Sequence, residues 1–238
     1  MGEKRKKILI AIVSAACIAV SLSVLLWYSF NNQNGYALLS ALIIALFIIP
    51  FFISLEAGKP AARDIVPIAV LSAAGVAGRV LFAALPSVKP TTAIVIISGM
   101  VFGPQAGFLT GAVSAFVSNF FFGQGIWTPW QMLAWGLCGF LAGLLAKTRF
   151  MRSRYGPAVF GFAASLMFGV IMNCWHIIGF VNPITLGAVA ATFAASIYFD
   201  AVHAFSTAFM MLVMGASWTK KLSRVKLKYG IMEARGNH

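Results

Sequence analysis

The chain has 238 residues, of which 61% are hydrophobic and only 10% are charged. A soluble globular domain carries about 25% charged residues, so this composition excludes an ordinary water-soluble protein. The formal net charge of +13 also fits a nucleic-acid-binding protein, but basic side chains collect in the cytoplasmic loops of membrane proteins as well. The positions of the charges along the chain therefore decide between these two classes.

Eight apolar stretches follow one another along the chain, which predicts an all-α, polytopic membrane helix bundle. A helix needs about 20 apolar residues to cross a hydrocarbon core about 30 Å thick. Gly103 and Pro104 predict a break between the fourth and fifth stretches, because proline cannot continue the helical hydrogen bonds and glycine tolerates a turn. The predicted helices cover residues 8–30, 36–55, 65–85, 91–102, 106–122, 130–146, 157–179 and 185–218.

These stretches divide the chain into three predicted parts. Residues 1–58 form a transmembrane hairpin, residues 59–219 a six-helix membrane domain, and residues 220–238 a basic cytoplasmic tail. The first stretch opens with basic residues, as a signal peptide does, but it exceeds the usual length of about 7 to 15 apolar residues. It ends in an Asn-rich turn without a clear small-residue cleavage site, so we expect a retained helix.

The basic residues agree with an even number of helices. Four of them lie at residues 4–7 and place that end in the cytoplasm, since positive charge favours the inner side. Alternation then puts sixteen of the eighteen basic residues inside, and the exceptions are Arg79 and Lys89. Because a shift by one helix would move the cluster at residues 147–154 outside, we expect both termini in the cytoplasm.

Polar and aromatic residues concentrate towards the outer ends of the predicted helices. Polar groups inside hydrocarbon are costly and usually functional, and a few of them among apolar walls are typical of a small-molecule pocket. Trp is common at membrane interfaces in general, so a single Trp proves little. The predicted substrate-binding residues are Arg79, Asn119, Gln124, Trp127, Trp130, Gln131, Trp135, Asn173, His176 and Asp200.

Asp200 and His203 are three residues apart and share a helix face near the middle of the membrane. Asp200 has three open roles: an ion pair with Arg79, which we favour, a place in the pocket floor, or proton transfer. An intramembrane enzyme that acts on lipid or peptide, with Asp200 and His203 as acid and base, is the alternative function. The sequence offers it no evident nucleophile, hydrolase elbow or Walker loop.

No metal or cofactor site is predicted. Cys17, Cys138 and Cys174 lie far apart in the sequence, without the paired spacing of a zinc site or a disulfide framework. We expect them to be small residues of the core.

Ala69, Ala73 and Ala77 recur every four residues and lie on one helix face. Such a face lets another helix approach closely. Two interpretations stand equally: packing inside this protein, or docking of a different subunit.

Three segments resemble the substrate-binding S component of energy-coupling factor (ECF) vitamin transporters. They are KPTTAIVIISG at residues 89–99, FGPQAGFLTGA at 102–112 and SNFFFGQGIWTPWQM at 118–132. The resemblance covers residues 65–218, six predicted helices, which is the usual number in that family. The hairpin before them departs from the family pattern.

The resemblance implies a non-enzymatic subunit of a bacterial cell membrane that binds a vitamin-like compound. Its implied partners are a transmembrane coupling subunit, which docks on the alanine face, and two ATPase subunits. The turns at residues 87–90, 123–129 and 181–183 correspond to loops that gate the pocket in that family. Trp127, Trp130 and Trp135 suit a flat ring and Arg79 an anionic or carbonyl group, which leaves corrinoids, flavins, pterins and pyridoxine open.

Overall fold

The computed structural model describes residues 61–232 and six residues between 42 and 49. Within them every regular element is helical, so the predicted all-α class is confirmed. The predicted hairpin over residues 1–58 lies outside the described residues, apart from those six. The helices are α1 (Ala62–Leu81), α2 (Thr91–Phe102), α3 (Pro104–Phe122), α4 (Thr128–Leu145), α5 (Gly156–Phe180), α6 (Leu186–Met210) and α7 (Ala216–Tyr229), with a π-helical turn (Met211–Gly215) between α6 and α7.

Among the described helices, three segments are long and apolar enough to cross a membrane. They are α1, α5 and the continuous helical segment Leu186–Tyr229, which joins α6 to α7 through the π-helical turn. The chain is therefore a helical membrane protein. The shorter helix α2 is equally apolar but has only 12 residues, about 18 Å at 1.5 Å per residue, less than a membrane crossing.

Helix α2 is the centre of the bundle. Eleven of its 12 residues are buried, as expected of a helix that is apolar on all sides. It ends at Gly103, whose φ of +100° is readily adopted only by glycine. Pro104 then begins α3 at a position where its missing N–H costs nothing. The predicted break at these two residues is confirmed.

Glycines allow α2, α3 and α4 to meet backbone to backbone. A Cβ atom on Gly107 of α3 would overlap the backbone of Gly139 of α4, and a Cβ on Gly99 of α2 would overlap the same carbonyl. Gly111 lies equally close to the backbone at Trp135. Small residues permit this approach in membrane bundles, and here they fix the position of α4 relative to α3.

The bundle has two chemically different ends. Helices α1, α3 and α5 begin at one end, where α2, α4 and α6 finish. We call it the basic end, and we call the opposite one the polar end. The basic end consists of residues 61–64, 102–104, 145–156 and 211–232, and the polar end of residues 79–91, 119–131 and 173–187.

The C-terminal helix is tied to the basic end by two contacts. Lys226 donates its Nζ proton to the carbonyl oxygen of Val101 at 2.7 Å. The Asp64 carboxylate accepts hydrogen bonds from the backbone N–H groups of Ala61 at 2.9 Å and Met232 at 2.6 Å. These bonds hold α7 beneath α2 and beside the start of α1.

The glycine contact predicts a large effect of one methyl group. Gly107→Ala should lower the free energy of unfolding by roughly 1–3 kcal/mol, because overpacking against backbone cannot relax by a rotamer change. Thermal unfolding of the purified protein in detergent measures it. Gly187→Ala is the matched control, since a Cβ there meets nothing within 4 Å. Equal stability of the two variants would contradict the backbone contact.

Candidate functional site

A cavity of about 230 Å³ lies among α1, α4, α5 and α6 towards the polar end. The loop between α1 and α2 covers part of it. Its walls combine charged, amide, hydroxyl and aromatic side chains, the mixture expected of a small-molecule site. The lining residues are Arg79, Ser87, Lys89, Gln131, Trp135, Phe168, Gly169, Met172, Asn173, Ser196, Phe199, Asp200 and His203.

Arg79 is the most constrained residue of the cavity. Only 5% of it is exposed, and its Nη1 donates hydrogen bonds to the Ser118 hydroxyl and, at 2.7 Å, to Asn119 Oδ1. The guanidinium carbon lies 4.6 Å from the ring centre of Phe122 and 5.1 Å from that of Trp135. Its Nε is buried and has no hydrogen-bond partner in the described part of the chain.

The ion pair expected between Asp200 and Arg79 is not formed. Asp200 Oδ2 instead accepts hydrogen bonds from the Ser196 hydroxyl at 2.7 Å and from Asn173 Nδ2 at 3.4 Å. Ser196 lies one helical turn before Asp200 on the same face of α6, so the nearest donors are local. The cation and the carboxylate both line the cavity but bond to neutral groups.

Gly169 makes room for the Asp200 carboxylate. A Cβ atom at this position of α5 would overlap the carboxylate oxygens. The absence of a side chain at Gly169 therefore lets α5 and α6 pack closely where Asp200 faces the cavity.

A chain of hydrogen bonds orients the aromatic wall. The indole Nε1 of Trp135 donates to Thr92 Oγ1 at 2.9 Å, and the same oxygen lies 2.8 Å from His203 Nε2. Phe168 packs against both rings, with centroid distances of 4.8 Å to Trp135 and 5.3 Å to His203. Trp135 is 1% exposed, so its ring is held in one orientation.

Asn119 supports the cavity from behind. It is fully buried, and its Oδ1 accepts from Arg79 while its Nδ2 donates to Thr128 Oγ1 and to Gln131 Oε1, each at 2.9 Å. Both sides of its amide are therefore occupied by neighbours. Asn119 does not line the cavity, but it positions Arg79 and Gln131, which do.

The structure brings five of the ten predicted site residues into the cavity: Arg79, Gln131, Trp135, Asn173 and Asp200. Besides Asn119, four others lie elsewhere. Gln124 bonds Thr128 and the Phe116 carbonyl, and Trp127 packs against Trp175 at 6.2 Å. Trp130 is buried in a core cluster with Phe108, and the exposed His176 stacks on Phe180 at 5.8 Å.

Eight lining residues were not among the predicted site residues. Helical spacing was the signal for some of them, because Gly169 and Ser196 each lie four residues before a predicted site residue, Asn173 and Asp200 respectively. The eight are Ser87, Lys89, Phe168, Gly169, Met172, Ser196, Phe199 and His203.

The cavity carries more positive than negative charge. Arg79 and Lys89 line it against the single carboxylate of Asp200. Burial lowers the pKa of the Lys89 ammonium group, and the nearby Arg79 charge lowers it further. An anionic or electron-rich group inside the cavity would be attracted to the two cations and would favour the protonated form of Lys89.

The acid and base of the alternative enzyme are not hydrogen-bonded to each other. His203 contacts Thr92, whereas Asp200 accepts from Ser196 and Asn173. Among residues 61–232 no group of three or more His, Cys, Asp or Glu side chains could hold a metal ion.

The alanine face of α1 is on the outside of the described bundle. Ala69, Ala73 and Ala77 are all exposed. Val66 and Val70 beside them are 55% and 59% exposed. The face is apolar and is carried by a helix long enough to cross the membrane.

Comparison with known proteins gives one family and several partial relatives. The model of the family described as "ECF-type riboflavin transporter, S component" matches residues 59–223. A UPF0397 protein of Vibrio atlanticus is 34% identical over 88 residues, 35% of this chain and 48% of that protein. A UPF0397 protein of Aliivibrio fischeri is 33% identical, also over 88 residues, 35% of this chain and 48% of that protein. The chain thus spans about half the length of the curated relatives it matches, and no solved structure matches it.

The contacts of Asn119 predict a cost for its removal. Asn119→Ala should destabilise the protein by about 1–3 kcal/mol, because it leaves buried donors and acceptors unpaired. Asn182→Ala removes an exposed amide at the same end of the bundle but outside this hydrogen-bond network, and should change stability by less than about 0.5 kcal/mol. Thermal unfolding of both variants in detergent measures the difference, and similar melting temperatures would contradict the supporting role of Asn119.

Proposed function

Because the chain belongs to the family of ECF-type riboflavin transporter S components, we propose that it captures a vitamin-like ring compound outside the cell for an ATP-driven importer. The members of this family are membrane subunits that bind the substrate of a transporter. Transporter S components are not a class of enzymes.

The proposal rests mainly on the surroundings of the Arg79 guanidinium. It is buried, its bonded partners are the neutral Ser118 and Asn119, and its Nε has no partner among the described residues. A buried donor without a partner is costly. A carbonyl or anionic group of a ligand in the cavity would offset that cost.

The cavity favours a compact ring with both acceptors and a donor. Trp135 and Phe168 offer apolar ring faces, Arg79 offers donors, and the Asp200 carboxylate offers an acceptor. Flavins and pterins carry carbonyl oxygens beside ring N–H groups and match this set, and riboflavin is the compound that the family description names. A volume of about 230 Å³ lies below the usual range of roughly 300–1,000 Å³, which disfavours a corrinoid.

The charge distribution supports an orientation with the basic end in the cytoplasm. Positive residues stay on the inner side of membranes, and the basic end holds the cluster at residues 147–154 and the cations of α7. The cavity then faces outward, both termini lie inside, and the loop with Ser87 and Lys89 lies over the cavity as a gate.

The exposed alanine face is the proposed contact with the coupling subunit. Its three alanines leave space for a second helix to approach closely, and it lies on α1, which also carries Arg79. Two ATPase subunits would supply the energy through that subunit.

Arg79→Gln should weaken ligand binding by about 10-fold to 150-fold, the loss expected for a hydrogen bond to a charged group. Isothermal titration of the purified protein with riboflavin, a pterin, pyridoxine and cobalamin measures the Kd. Arg63→Gln removes an exposed charge from the same helix and should leave the Kd unchanged. Equal effects of both substitutions, or no binding of any of the four compounds, would argue against this site.

Ala73→Trp should spare ligand binding and reduce uptake to a small fraction, because a bulky side chain keeps a docking helix away. Ala163→Trp is the control, an exposed alanine on α5, and should change neither quantity. Titration of the purified variants and uptake of the labelled ligand by cells that express them test both statements. Normal uptake with Ala73→Trp would place the coupling surface elsewhere, and lost binding would refute the separation of the two sites.

A further inference from the structure

A second and larger cavity, about 760 Å³, lies at the basic end. The loop between α4 and α5 forms one side of it, and the π-helical turn with the start of α7 forms the other. Arg152, Arg154 and Lys220 contribute positive charge to its lining, and Thr219 contributes a hydroxyl group. It lies at the other end of the bundle from the substrate cavity and shares no residue with it.

The three cations of this cavity have no carboxylate partner among the described residues. Asp64 is the only described carboxylate at the basic end, and it already accepts hydrogen bonds from two backbone N–H groups. Arg154 is placed over the ring of its neighbour Tyr155, at 5.3 Å, rather than beside an acid. The cavity therefore presents uncompensated positive charge.

Thr219 adds an unused polar group. Its Oγ1 is buried and has no hydrogen-bond partner in the described part of the chain. A threonine inside a helix commonly bonds the carbonyl oxygen four residues earlier, as Thr110 and Thr192 do with Ala106 and Ala188, at 2.8 and 3.0 Å. The Thr219 hydroxyl does not, so it is free to bond a ligand atom.

One side of the cavity is apolar and continues onto the lipid-facing surface. Met211 and Leu212 line it, and Leu212 and the adjacent Val213 are 53% and 67% exposed. They lie on the continuous membrane-spanning segment, directly before the basic helix α7. A ligand in this cavity thus meets cations on one side and a hydrocarbon surface on the other.

We propose that this cavity binds the phosphate headgroup of an anionic phospholipid. Arg152, Arg154 and Lys220 neutralise the phosphate, the Thr219 hydroxyl donates to one of its oxygens, and the acyl chains follow Met211 and Leu212. Basic pockets beside membrane helices suit such headgroups. The cavity is much larger than a free phosphate ion, and its apolar side would be idle with a soluble anion.

The test compares two double substitutions that remove the same charge from the same loop. Arg152→Gln/Arg154→Gln removes the cations of the cavity, whereas Lys147→Gln/Arg149→Gln removes two exposed cations that do not line it. The proteins are reconstituted in nanodiscs of phosphatidylcholine that contain spin-labelled phosphatidylglycerol, and the bound fraction of the label is measured.

The wild-type protein and the Lys147→Gln/Arg149→Gln variant should retain the anionic lipid, whereas Arg152→Gln/Arg154→Gln should lose affinity at least about tenfold, the loss expected when a hydrogen bond to a charged group is removed. Thr219→Val, which keeps the shape but removes the hydroxyl, should also weaken binding. Equal losses in the two double variants would overturn the proposal, because they indicate general surface charge. Displacement of the lipid by inorganic phosphate would assign the site to a soluble anion instead.

Discussion

Backbone contact between α3 and α4 is the constraint on which the cavity at the polar end depends. Gly107 and Gly139 have no side chains to hold these helices apart. As a result Asn119 of α3 lies within 2.9 Å of Gln131 of α4 while it also holds Arg79 of α1. The hydrogen bonds of the Asn119 amide therefore join α1, α3 and α4. Without this close approach the buried Asn119 amide nitrogen would lose its partners on α4, Thr128 and Gln131, and would be left with unpaired donors.

The two cavities differ in how their charged groups are partnered. Towards the polar end, Arg79 and Asp200 are both kept in a small space and are held by neutral partners, so each retains the capacity to bond a ligand. At the basic end, the cations are numerous, and Asp64 is the only carboxylate among the described residues there. A few directed bonds suit the proposed capture and release of a ligand at the polar end, whereas accumulated charge suits the proposed contact with an anionic lipid at the basic end.

Helix α1 takes part both in the proposed ligand binding and in the proposed docking of the coupling subunit. Its inner face carries Arg79, which lines the cavity, and its outer face carries Ala69, Ala73 and Ala77. Its beginning is held by Asp64, whose carboxylate also binds the backbone of Met232 beyond α7. A change in the position of α1 would therefore alter the cavity, the alanine face and the contacts at the basic end together.

The sequence by itself determined the helical class, the break at Gly103 and the shared face of the three alanines, because run length, proline and glycine chemistry and helical period are local properties. It also pointed to five of the residues that line the cavity, four through the cost of polar groups in hydrocarbon and Trp135 through its flat ring. Only the tertiary structure decided that Trp130 packs into the core, that Arg79 pairs with Ser118 and Asn119 rather than Asp200, and that Gly169 makes room for that carboxylate. These outcomes depend on how far each helix is rotated about its axis and how closely its neighbours approach, which no single segment specifies.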